Sequence, residues 1–105
     1  MARALTEAGW AVLARRWQGG GAELDLVVTR GASLRFVEVK ARTEAALDPL
    51  ESIGSRKQAR LARAGEAWLA RHRGDWDDVA FLVAVVMPRQ GAFQVDWIDD
   101  AFDGV

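Results

Sequence analysis

The run VAFLVAVVM at residues 79–87 constrains the fold more than any other stretch. It is unbroken in apolar character and bounded by GDWDD before it and PRQGA after it, so it reads as a buried central strand. Such a strand needs cover on both faces, and the remaining segments supply it. Residues 2–8 read as the end of a helix stopped by Gly9, and WAVLARRW, 10–17, as a first strand followed by the joint QGGGA. ELDLVV, 23–28, alternates acidic and apolar residues. TRGAS turns the chain, and LRFVEVKAR, 34–42, runs back as the other arm of a hairpin. A looser polar connection at 43–54 leads to a helix over 56–73, with Ser55 as its N-cap and Leu61, Ala64, Trp68 and Leu69 as its apolar stripe. Gly65 is a mild weak point in that helix. FQVDWI, 93–98, is the last strand. The order is α-β-β-β-α-β-β, an α/β fold with a mixed sheet flanked by helices.

Length fixes the scale: 105 residues make one domain with one modest core. Cysteine is absent, which excludes a disulfide framework and a thiolate zinc site. No window approaches the ~18 apolar residues of a membrane span, and the N-terminus lacks the apolar core of a secretory signal. A cytoplasmic protein with no membrane partner is therefore expected. The net charge of −1 hides a strong polarity. Residues 55–73 carry Arg56, Lys57, Arg60, Arg63, Arg71 and Arg73 against Glu66 alone, whereas the acids from 75 onward are all aspartates, opposed only by Arg89. Local fields of this kind matter more to a partner than the sum.

The hairpin carries the chemistry. A turn centred between Gly31 and Ala32 sets Asp25 opposite Glu38 and Glu23 opposite Lys40. The four charges are then expected on one face, with Leu24, Leu26, Val37 and Val39 on the other, packed on the helix. Glu23 and Lys40 attract. Two carboxylates ~4 Å apart repel by roughly 1 kcal/mol in water and nearer ~4 kcal/mol at the dielectric of a protein surface. A divalent cation reverses that sign, and two carboxylates with a backbone carbonyl, here that of Val39, and water suit a hard ion such as Mg²⁺ or Mn²⁺. Lys40 beside it is placed to orient or deprotonate a water or to steady charge on a phosphoryl oxygen. The basic helix that follows, with Lys57 and Gln58 near its start and Arg56 and Arg60 beside them, is suited to binding phosphates, as is Arg42 just past the strand.

Each piece alone has an ordinary reading. Glu-x-Lys is commonly solvated strand decoration, and a basic stripe is commonly an exposed helix face. Trp10, Trp68 and Trp97 read as core or interface anchors, and His72 as an exposed residue favoured at a helix C-terminus. The joint occurrence carries the metal-site reading.

These residues resemble the core of the PD-(D/E)XK, or restriction-endonuclease-like, nuclease superfamily. Asp25 stands where it has its first acid, and Glu38 and Lys40 match its (D/E)-x-K. GWAVLARRWQGGGAELDLVV, LRFVEVKAR, KQARLARAGEAWLA and WIDDAF together resemble, in order, the bacterial YraN-like proteins, related in fold to archaeal Holliday junction resolvases. The resemblance implies a Mg²⁺-dependent endonuclease acting on DNA, branched DNA included, and a homodimer. It implies Asp25, Glu38 and Lys40 as the metal-site core, Glu23 as an auxiliary acid, and Lys57 or Gln58 as the polar helix residue. Against that pattern the first helix is expected to be shortened, Ala22 replaces the usual glycine, and Ala80, Phe81 and Leu82 replace Arg-Phe-Asp. A binding module that keeps the fold without cleavage is the alternative, and a protein-interaction module is a third reading.

Overall fold

The computed structural model describes residues 1–41 and 53–102. Its elements are α1 (Ala2–Glu7), β1 (Ala11–Gly19), β2 (Ala22–Arg30), β3 (Ser33–Ala41), α2 (Ser55–Arg71), β4 (Asp78–Arg89) and β5 (Ala92–Asp99), in the expected α/β order. The sheet runs β1-β2-β3-β4-β5. Neighbours are antiparallel except β3 and β4, which are parallel and joined by the crossover that contains α2. β4 is the expected central strand: Ala80 through Val85 are all buried.

Two apolar layers cover the sheet. Leu34, Phe36, Phe81, Val83 and Val85 pack under Leu61, Ala64 and Trp68 of α2. Leu26, Val28, Val37, Leu82 and Ala84 pack with Leu5 of α1 on the other side. Burial of a side chain such as Leu61 or Trp68 stabilises by about 1.5–3 kcal/mol, which holds α2 on the sheet despite its five basic residues. Gly65 is a packing position as well as a weak one. A Cβ there would stand 3.0 Å from the Phe36 ring, so the missing side chain lets α2 settle on that phenyl group.

Three local expectations are corrected. Gly54, not Ser55, is the N-cap of α2, and no side chain caps that end. The helix stops at Arg71, where His72 takes the cap position and stacks on Trp68 with ring centroids 4.4 Å apart. The third correction concerns the hairpin faces. The register is as expected, with Leu26 opposite Val37 and Arg30 opposite Ser33. Yet Leu24 packs on the α2 side, while Leu26, Val37 and Val39 pack on the α1 side. β2 therefore changes face at Asp25. β1 does the same beside it: Ala14 and Trp17, three residues apart, both pack on the α2 side, and Arg16 between them has φ +48°. A left-handed residue advances the strand without keeping its alternation. The strictly alternating pattern of ELDLVV could not reveal this, because both strands of the pair change face together, at Asp25 and Arg16.

Among the described residues, no helix is long and apolar enough to cross a membrane.

Candidate metal centre and phosphate-binding cleft

The face change at Asp25 opens the site. Recorded pairing of β2 with β3 ends at Leu26–Val37. One residue further on, the Val39 N–H donates to the Asp25 carboxylate, Oδ2, at 2.8 Å instead of to a strand carbonyl. A side chain thus replaces the next rung of the ladder, and β2 parts from β3. Beyond this point the β1–β2 hairpin reaches over α2. Gly20, with φ +62°, lies so near the helix that a Cβ there would fall 2.6 Å from the Arg63 carbonyl oxygen. Between hairpin and helix lies a cleft of about 360 Å³ lined by Gly21, Ala22, Glu23, Asp25, Glu38, Lys57, Arg60 and Leu61.

Glu38 forms the floor of this cleft. It follows Leu34 and Phe36 on the α2 face of β3, so strand alternation carries a carboxylate into an apolar row. This reverses the expectation that the charges would face away from the helix. The Glu38 side chain is only 8% exposed, and Lys57, the third residue of α2, donates from Nζ to its Oε1 at 2.9 Å. Burial pushes the Glu38 carboxyl above the ordinary glutamate range; the Lys57 hydrogen bond pulls it back, the Asp25 charge pushes it up, and Lys40 pulls it down. Asp25 and Glu38 are therefore close enough to oppose one another, and Lys40 close enough to help.

The other expected residues divide. Glu23 lines the cleft, but its partners are Arg16 and Gln18 of β1, each at 3.3 Å, rather than Lys40. The β2–β3 pairing that would set Glu23 opposite Lys40 stops at Leu26–Val37. Arg60 is exposed on the cleft wall, and Arg56 is exposed on the same helix outside it. Gln58 turns away, donating its amide to the Ile53 carbonyl at 2.9 Å. Val39 lies on the far side of the sheet from Lys57, lining a second cleft of about 560 Å³ that also contains Arg15, Arg16, Glu23 and Asp25. Asp25 thus borders both clefts. Arg42 lies outside the described residues.

Among the described residues, no three acidic, histidine or cysteine side chains are grouped to cage a metal ion. The donor set does fit a hard divalent ion that keeps much of its water, since such an ion takes only one or two carboxylates from a protein. Asp25 and Glu38 supply those. Both line the same cleft, and the Asp25 charge, which adds to burial in raising the Glu38 carboxyl, also favours a cation between them.

Arg35, absent from the sequence-based expectations, is the other buried charge of β3. Its Nε and Nη2 donate to Asp99 at 2.7 and 3.1 Å, Nη2 to Asp78 at 2.8 Å, and Nη1 to the Leu34 and Asp78 carbonyls at 3.0 and 3.1 Å. The signal for it was present: Arg35 sits next to a buried strand, and the acid-rich C-terminal third supplies the counter-charge.

Fold and site together define a small α/β protein with a five-stranded mixed sheet and two acids, one of them held by a lysine, where a hairpin splits. The chain belongs to the family described as Uncharacterised protein family UPF0102, whose profile matches residues 1–95. It is 47% identical over 88 residues to a UPF0102 protein of Methylorubrum populi, covering 83% of this chain and 70% of that one. It is 41% identical over 108 residues to one of Synechococcus sp. strain JA-3-3Ab, covering 94% and 82%. Against a UPF0102 protein of Methylorubrum extorquens, 54% identical over 65 residues, the match covers 61% of this chain and 49% of the relative.

Proposed function

We propose that this chain is a Mg²⁺- or Mn²⁺-dependent DNA endonuclease of the PD-(D/E)XK class, of the YraN-like, resolvase-related branch, working in the cytoplasm. The single observation that carries this reading is the buried Glu38 carboxylate, set beside Asp25 and in contact with a cation from α2, at the floor of a cleft walled by basic residues. An acid pair of this kind is unfavourable without a positive charge and has an evident use with one.

Asp25 and Glu38, with the Val39 carbonyl, would hold the ion. Once bound, it would supply positive charge to phosphoryl oxygens and acidify water. Lys40, whose charge already acts on Glu38, steadies charge that develops on the phosphoryl group or orients the attacking water. Arg60 and Lys57 hold phosphates in the cleft, and the exposed Arg56 and Arg63 extend the positive track along α2. Glu23, tethered to Arg16 and Gln18, keeps the hairpin arm in position as an auxiliary acid. The likeness to resolvases extends the proposal to branched DNA and a homodimer.

A second reading, DNA binding without cleavage, is favoured by one fact: Lys57 already neutralises Glu38. One assay separates the two. Linear, flapped and four-way-junction DNA is incubated with the protein and Mg²⁺, Mn²⁺ or a chelator. Cutting is expected only with metal, and Asp25→Asn or Lys40→Ala is expected to slow it at least ~100-fold, as for loss of a transition-state charge stabiliser. Cutting that survives both substitutions would sink the nuclease assignment. Salt-sensitive binding with no cutting would select the second reading.

A further inference from the structure

The Lys57–Glu38 pair has unequal members. Glu38 is fixed in the sheet with its side chain 8% exposed, whereas the Lys57 side chain is 43% exposed on the first turn of α2. An ammonium is a compact charge on a flexible four-carbon stem. It can leave the carboxylate without disturbing the helix, and Arg60 lines the same cleft. Lys40 approaches Glu38 only through space, so Lys57 is the hydrogen-bonded cation of the acid pair among the described residues. An ammonium and a divalent ion bring like charge to the same carboxylate and oppose one another there.

We propose that Lys57 is a resident counter-ion that competes with the divalent cation for Glu38 and, once displaced, transfers its ammonium to a DNA phosphate in the same cleft. This rests on reading Asp25 and Glu38 as a metal site, and it adds a coupling to that reading. Metal and DNA both favour the displaced Lys57, so each raises affinity for the other, by the same factor in both directions. Without metal, Lys57 stays on Glu38 and DNA has one fewer phosphate contact.

The test is calorimetric titration of Mn²⁺ into the full chain at pH 8, comparing wild type with Lys57→Met, Lys57→Arg and Glu38→Gln. Circular dichroism checks that each variant is folded. Lys57→Met is expected to bind Mn²⁺ about 10-fold more tightly, the scale of one broken exposed-to-buried ion pair. Lys57→Arg, whose planar fork suits a carboxylate better, is expected to bind it more weakly than wild type. A merely structural lysine would not move affinity in opposite directions in these two variants. In parallel, anisotropy of labelled DNA is measured with and without Ca²⁺; wild type should bind DNA more tightly with the ion, and Lys57→Met should lose that enhancement. If wild type binds Mn²⁺, Glu38→Gln does not, and Lys57→Met is unchanged or weaker, the competition is overturned while the metal site stands. If neither wild type nor Lys57→Met binds Mn²⁺, the metal-site reading fails and this inference fails with it.

Discussion

Arg35 and Glu38 stand three residues apart on β3, both buried, on opposite faces of the sheet. Arg35 is completed by its surroundings. All five guanidinium N–H groups have acceptors, and two carboxylates answer its charge. Glu38 is not. Among the described residues, one oxygen has Lys57, the other has no donor, and a second acid stands nearby. A buried charge whose every bond is made belongs to the architecture, tying β3 to β4 and β5. A buried charge left half-answered on the floor of a cleft is available to a ligand.

Removing Arg35 is expected to have the largest effect. Arg35→Met should destabilise by about 3 kcal/mol, the low end for breaking a buried ion pair, because the acids left behind are roughly half exposed and rehydrate. Urea unfolding measures this, and a loss below ~1 kcal/mol would remove Arg35 from its architectural role. Glu38→Gln should cost less than ~1 kcal/mol or stabilise, since it removes a poorly answered charge while keeping the shape.

The pH dependence of stability should separate the two sites further. The Arg35 hydrogen bonds hold the Asp78 and Asp99 carboxyls below the ordinary aspartate range. Their contribution is present above the unfolded value, ~3.9, and disappears as pH falls through their lower folded values. Glu38 behaves oppositely. Burial raises its carboxyl, so the native state holds its proton longer than the unfolded chain does. Its contribution is full below the unfolded value, ~4.3, and is lost as pH rises through the raised folded value. Unfolding curves from pH 3 to 7 should therefore show the acid-side loss flattened in Arg35→Met and the loss above pH ~4.3 flattened in Glu38→Gln. Flattening of the same limb in both variants would contradict the contrast.

The smallest effect is expected at Gln58. With its amide committed to the Ile53 carbonyl, Gln58→Ala should leave Mn²⁺ affinity within about two-fold. A larger change would return that residue to the site.

Much of this was legible in the chain. The valine-rich run located β4, the turn at Gly31 fixed the β2–β3 register, and the pairing of Asp25 with Glu-x-Lys named the acids that do line one cleft or act on it. What could not be read was the face. Strand alternation from Leu24 to Leu26 is regular in sequence, yet the two leucines part where the left-handed Arg16 stands beside Asp25 in the neighbouring strand. That step removes Lys40 from Glu23, and the α2 side of β3 brings Lys57 to Glu38. Long-range partners of this kind, Arg35 with Asp99 included, depend on where the chain returns and leave no local pattern.

The central claim is that Asp25 and Glu38 together bind a divalent cation. A crystal soaked in Mn²⁺ and measured for anomalous scattering tests it most directly. One strong peak is expected in coordination contact with both carboxylates, with the Lys57 ammonium withdrawn from Glu38. A map with no peak there, and Lys57 still on Glu38 at saturating Mn²⁺, would contradict it.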